Sequence, residues 1–188
     1  YDKSNYTNIT NNFSIEWTPI PELTFRGRVG ISGQMNESDV FRPSTHSSFV
    51  SYTGEDVARK GSYQYGTGKD YRYEASFTAN YRKLFGGKHL VYAGVNAEMS
   101  ESTGRSYTFK VEGFADESID FLSMGLQYEK EAKPSGSESK SRRVGLVGNV
   151  NYSYDNRYFI DFNIRTDGSS QFGSSKRFAP FYSVGLGW

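Results

Sequence analysis

The sequence predicts an all-β chain of about seven antiparallel strands standing in lipid, on three observations. Oily and polar residues alternate with a period of two through most of its apolar segments. Short turns recur at one end of those segments and long polar stretches at the other. Aromatic residues reach 16%, with 15 Tyr and 14 Phe, in a chain whose mean hydropathy is only -0.67. Many amphipathic rings in a hydrophilic sequence need an interface to occupy.

The first segment carries Ile9, Phe13, Ile15 and Trp17 on one face, interrupted by Asn11, with Thr10, Asn12, Ser14 and Glu16 opposite. Two prolines in TPIPE (18–22) end it, because proline cannot donate to a ladder. The second segment sets Leu23, Phe25, Val29 and Ile31 against Thr24, Arg26, Arg28 and Ser32. After a polar loop expected from about Gly33 to Asp70, the cleanest strand follows: Tyr71, Tyr73, Ala75, Phe77, Ala79 and Tyr81 against Arg72, Glu74, Ser76, Thr78, Asn80 and Arg82. The turn in LFGGK leads to Val91, Ala93, Val95, Ala97 and Met99. A second long loop is expected from about Ser100 to Lys140. Val144, Leu146, Val150, Tyr152 and Tyr154 make the fifth segment, and DNR turns it into Tyr158, Ile160, Phe162 and Ile164, backed by Asp161, Asn163 and Arg165. The seventh holds Tyr182, Val184, Leu186 and Trp188.

Parity tests the hairpins. Pairing Trp17 with Leu23, Tyr81 with Val91 and Tyr154 with Tyr158 keeps the oily face continuous through all three turns. Strands of about 10 to 12 residues, with Trp17, Tyr81, Phe85, Tyr154, Tyr158 and Trp188 gathered toward the short turns, describe the wall of an outer-membrane barrel: an apolar band, an aromatic girdle and a polar lumen. A soluble sandwich would use shorter strands, with turns recurring at both ends.

Composition excludes several functions. With 22 Lys+Arg against 21 Asp+Glu the net charge is +1, so nothing argues for nucleic acid. There is no cysteine for a thiolate metal site or a disulfide. His46 and His89 lie too far apart in sequence for ligand spacing, so no metal or other cofactor is assigned. GSYQYGTGKD (61–70) imitates a phosphate loop but has Tyr63 where its first glycine belongs and Asp70 where Ser or Thr must reach magnesium; it reads as a flexible loop. No G-x-S-x-G elbow occurs, and the chain is expected not to be an enzyme. ESIDFLSMGLQ (117–127) has a helical spacing through Ile119, Leu122 and Leu126 that stays unassigned. YDKSNYTNIT (1–10) lacks the apolar core of a signal peptide, so the sequence reads as a processed or internal piece.

NYSYDNRYFIDFNIRTDGSSQFG (151–173), followed by FAPFYSVGLGW (178–188), resembles the barrel signature of the SusC-like/RagA-like TonB-dependent outer-membrane transporters. EWTPIPELTFR (16–26) is similar to a strand-turn-strand of the same family, though more generic. The resemblance implies a barrel of about 22 strands enclosing a plug, of which residues 1–188 would supply part of the wall, with plug and TonB box outside the chain. It also implies the outer membrane of a Gram-negative bacterium, a SusD-like surface lipoprotein lid, energy from the TonB complex, and import of oligosaccharide or peptide. A passive porin, or a structural barrel anchoring a surface complex, is the alternative.

Asp167, Gly168, Ser169, Ser170, Phe172 and Gly173 carry the signature; the family pattern implies a structural role at the outer rim, while Asp-Gly alone also suits a turn. Arg26, Arg28, Arg72, Glu74, Glu98, Asp161 and Arg165 share the polar face, as lumen lining and plug contact. Aromatics in the two long loops divide between stacking on a ligand or lid and packing within the loops. Tyr63, Tyr65, Phe109 and Phe114 are the candidate contacts.

Overall fold

The computed structural model describes residues 1–171 and 178–188. Its strands are β1 (Asp2–Ile20), β2 (Leu23–Arg42), β3 (Ser62–Phe85), β4 (His89–Glu112), β5 (Gln127–Tyr128), β6 (Ser135–Tyr154), β7 (Tyr158–Ser169) and β8 (Phe178–Gly187). They form one antiparallel sheet in the order β1-β2-β3-β4-β6-β7-β8, with the two-residue β5 paired to β4 alone. The seven long strands are those expected from the alternation.

Their lengths are not all as expected. β3 and β4 run for 24 residues each and β2 and β6 for 20, so both long polar stretches begin and end as strand. The irregular connections shrink to residues 43–61 and 113–134, apart from β5. GSYQYGTGKD is therefore not a flexible loop: from Ser62 onward it is strand β3. In ESIDFLSMGLQ only a single 3-10 turn forms, Leu122–Met124. Oil-and-water alternation marks a strand only where its two faces meet different surroundings. Where both faces are wet, the backbone ladder continues without that signal.

The chain divides into two compact units. The hairpin unit comprises Thr10–Ser32, Arg72–Ser102 and Lys140–Trp188. The β6–β7 register pairs Tyr154 with Tyr158, as parity requires, and continues through Tyr152–Ile160 and Val150–Phe162. β8 extends the same rows by pairing Leu186 with Ile160, Val184 with Phe162 and Tyr182 with Ile164. Two tight turns share one design, with left-handed residues at both centres: Asp155 and Asn156 (φ 52° each), and Gly86 and Gly87 (φ 55° and 68°). Trp17 stacks on Phe25, with ring centres 5.5 Å apart, two residues beyond Leu23 on the same face. Phe25 in turn stacks on Phe77 at 6.0 Å.

This unit contributes no apolar residue to the buried core among the described residues. Its large apolar side chains are instead uncovered: Ile15 is 62% exposed, Val184 65% and Leu186 77%, with Val29, Phe77, Val95, Val150, Ile160 and Phe162 also exposed. An apolar patch this extensive is not the surface of a soluble monomer. The 12 residues of β7 and 10 of β8 match the roughly 9 to 11 that a tilted strand needs to cross lipid. Near the short turns the Lys83 ammonium lies 5.6 Å from the Phe85 ring centre and the Arg157 guanidinium 5.5 Å from that of Tyr158. Cations beside rings suit a membrane-water interface.

The loop unit comprises Tyr1–Ile9, Gly33–Tyr71 and Thr103–Ser139 and has a small core of its own. Phe41, Tyr63, Val111 and Phe114 are buried together, with Tyr65 and Leu122 against them. Phe41 and Phe114 meet edge to face at 5.3 Å. The Tyr63 hydroxyl donates to Asp39, and burial together with that carboxylate pushes it well above the usual tyrosine range. Beside this cluster the Glu112 carboxylate, 3% exposed, accepts from Arg59 Nε at 2.7 Å and Nη2 at 3.0 Å and from Gln127 Nε2 at 2.9 Å. Burial opposes its charge, yet Arg59 and Gln127 outweigh that and hold the carboxyl below the ordinary range. Gly113, at φ 83°, sits where a Cβ would lie 2.7 Å from Leu126 Cβ and 2.9 Å from the Ala58 carbonyl, so only glycine brings the two connections together there.

Two tests follow from the two units. In the membrane-assembled protein, Val95→Arg or Phe162→Arg should cost about 2 to 4 kcal/mol near mid-bilayer and Asn163→Arg much less; equal costs in reversible unfolding from vesicles would contradict the face assignment. In the loop unit, Glu112→Leu takes two of the Arg59 hydrogen bonds and leaves it only Asp56, and should destabilise the connections by about 1 to 2 kcal/mol. Because the Glu112 carboxyl is held low, its contribution is complete above the ordinary carboxylate range and fades as pH falls through its lowered value. Hydrogen-exchange protection in residues 113–134, corrected for the intrinsic pH dependence of amide exchange, should fall with acid in the native protein and be less pH-sensitive in the variant.

Candidate functional site

The signature strand is the first candidate. Asp167 and Gly168 lie within β7, paired on one side with Gly145 and Val144 and on the other with Ala179 and Phe178, so the dipeptide forms no turn. Gly168 serves close approach: a Cβ there would stand 2.6 Å from the Phe178 ring and 2.9 Å from Val144 Cγ2. Asp167 accepts from Arg165 Nε at 2.6 Å, and Arg165 reaches Glu98 at 3.4 Å. Ser170 ties the strand end to Arg142: its backbone N–H donates to the Arg142 carbonyl, and its Oγ accepts from the Arg142 N–H, both at 2.9 Å. Ser169 Oγ accepts from the Gln171 N–H at 3.2 Å. Phe172 and Gly173 lie outside the described residues.

The polar face of the hairpin unit forms an open concavity of about 970 Å³. Arg28, Arg72, Glu74, Glu98 and Arg165, five of the expected polar-face residues, line it together with Arg143 and Asp167. Arg72 donates to Glu74 at 2.6 Å. The other two stand apart: Arg26 pairs with Glu16, and Asp161 accepts from Asn151. Exposed pairs of this kind fix orientation more than they stabilise. The arrangement can bind and orient polar groups, and among the described residues no side chain in it forms a nucleophile-base pair.

The four aromatic candidates divide. Tyr63 (5% exposed) and Phe114 (2%) lie inside the loop core, whereas Tyr65 and Phe109 stack on each other at 6.4 Å and keep part of their surface free. His46 caps a 3-10 turn by accepting from the Ser48 N–H at 3.1 Å, and His89 meets the Tyr152 hydroxyl at 2.8 Å. Among the described residues, no group of three His, Asp or Glu could hold a metal ion. Sequence reasoning missed the Arg59–Glu112–Gln127 pin, whose three members are 53 and 15 residues apart and carry no local pattern.

No family model matches the chain. It is 26% identical over 178 residues to TonB-dependent receptor P3 of Formosa agariphila, covering 94% of this chain and 17% of that protein. Over 50 residues it is 42% identical to TonB-dependent receptor SusC of Bacteroides thetaiotaomicron, covering 27% of this chain and 5% of SusC. Among solved structures, the RagAB peptide transporter superimposes with a TM-score of 0.85 at 25% identity, over 99% of this chain and 20% of that one. The same importer in its open-open state gives 0.84 at 25%. The chain thus spans a fifth or less of the length of these relatives. Likeness in sequence and in architecture coincides with an uncovered apolar face and a signature strand whose residues have structural roles: the chain resembles a segment of the barrel wall of SusC/RagA-like TonB-dependent transporters.

Proposed function

We propose that the chain forms part of the wall of an outer-membrane, TonB-dependent importer of a Gram-negative bacterium, taking up oligosaccharide or peptide beneath a SusD-like surface lipoprotein lid. One observation carries the reading: an uncovered apolar sheet face occurs in a chain that follows a TonB-dependent receptor over 94% of its length. In this reading the rows through Val150, Phe162 and Val184 face acyl chains. Arg28, Arg72, Glu98 and Arg165 are solvated in the lumen, where they meet the plug. The loop unit stands clear of lipid, its strands held by the Phe41–Phe114 core and the Glu112 pin, and offers Tyr65 and Phe109 to the lid. The chain performs no catalysis; its work is to bind, orient and admit.

Uptake should cease when the TonB complex is deleted or the proton gradient collapsed. Uptake that persists unchanged would replace the importer with a passive pore. Tyr65→Ala with Phe109→Ala should lower co-purification of the lid by about 1 kcal/mol or more in affinity while heat-modifiable gel migration stays normal. Unaltered lid retention would leave those rings as packing within the loop unit.

A further inference from the structure

The loop unit contains a trough whose floor lacks side chains. Gly66 and Gly68 of β3 fall on one face, between Gln34, Asn36 and Ser38 of β2 and Ser106 and Thr108 of β4, around an open space of about 560 Å³. At Gly66 a Cβ would lie 2.6 Å from Ser38 Oγ. At Gly68 there is room: the nearest atoms to a Cβ would be the Arg105 carbonyl and Asn36 Nδ2, both at 3.9 Å. The second glycine therefore leaves open a space that a side chain would fill.

The walls carry hydrogen-bonding groups and almost no charge. Gln34 Nε2 donates to Asn36 Oδ1 at 2.9 Å, which fixes the two amides and leaves the Gln34 oxygen and the Asn36 nitrogen without a protein partner among the described residues. Tyr6, 77% exposed, also borders the trough. The one carboxylate on the lining, Glu37, accepts from the Tyr65 hydroxyl at 3.4 Å. The neighbouring Arg105 is paired with Glu138 at 2.8 Å.

We infer that this trough binds an uncharged oligosaccharide. Paired hydroxyls of a sugar ring match fixed amide and hydroxyl partners, and the exposed Tyr6 ring gives its apolar face a platform. An anionic ligand would find no cation on the lining. A peptide adding itself as a strand needs an exposed sheet edge, and β2, β3 and β4 each have neighbours on both sides. As the substrate class of the importer proposed above this assignment rests on that reading, whereas binding at the trough is measured without transport.

The test uses the purified, detergent-solubilised native assembly and calorimetric titration with α-glucan, β-glucan and mannan heptasaccharides, an oligogalacturonate and a casein digest. Gly68→Leu fills the trough from an extended position, and Asn36→Ala removes one amide; heat-modifiable migration checks that both fold. At least one neutral heptasaccharide should bind, and each substitution should weaken it about tenfold. Neutral binding that survives both substitutions, no neutral binding at all, or a loss confined to oligogalacturonate or casein peptides would each overturn the assignment. Uptake independent of TonB would remove the import reading and leave this binding result standing.

Discussion

Everything in the hairpin unit follows from one constraint: a row of large apolar side chains that no other part of the unit covers. Ile15, Val95, Ile160, Phe162, Val184 and Leu186 would each need water excluded from them, and no second layer does so. Lipid meets that need, on condition that every backbone N–H and C=O in the layer is paired, which a ladder of long strands with tight turns provides. Hence the left-handed Asp155-Asn156 and Gly86-Gly87 turns, which reverse the chain within a few residues. Hence also the period of two, since a slip of one residue would turn each oily row toward the polar concavity of Arg72, Glu98 and Arg165.

The loop unit is built differently. Its strands are held by an internal core instead. Phe41, Tyr63 and Phe114 exclude water from its centre, while Glu112, buried and doubly bonded by Arg59, ties a connection to a strand end. Interior rings are thereby removed from any role at the surface. What stays accessible is the Tyr65–Phe109 stack and the side-chain-free floor at Gly66 and Gly68.

How much of this was legible in the sequence differed between the units for a physical reason. Where lipid and lumen oppose each other, Phe162 and Asn163 betray the strand, and the Tyr154–Tyr158 pairing could be read from parity alone. Beyond the uncovered apolar rows, β2 continues to Arg42 and β3 begins at Ser62 with little oil-and-water contrast to mark them. The signature at Asp167 and Gly168 was visible as a motif, but its mechanics were not. That Gly168 yields space to Phe178 and Asp167 anchors Arg165 depends on strands that meet only in the fold. The Glu112 pin and the trough between β2 and β4 join residues remote in sequence, which no local pattern encodes.

The central claim is that alternate residues of β7 face lipid and water. Because the chain has no cysteine, single cysteines can be placed along its six residues 160–165 and labelled with an environment-sensitive fluorophore in the vesicle-reconstituted protein. Labels at Ile160, Phe162 and Ile164 should be quenched by acyl-brominated lipids and shielded from aqueous iodide, with the reverse at Asp161, Asn163 and Arg165. Quenching that shows no alternation, or iodide access to both rows, would contradict a lipid-facing sheet.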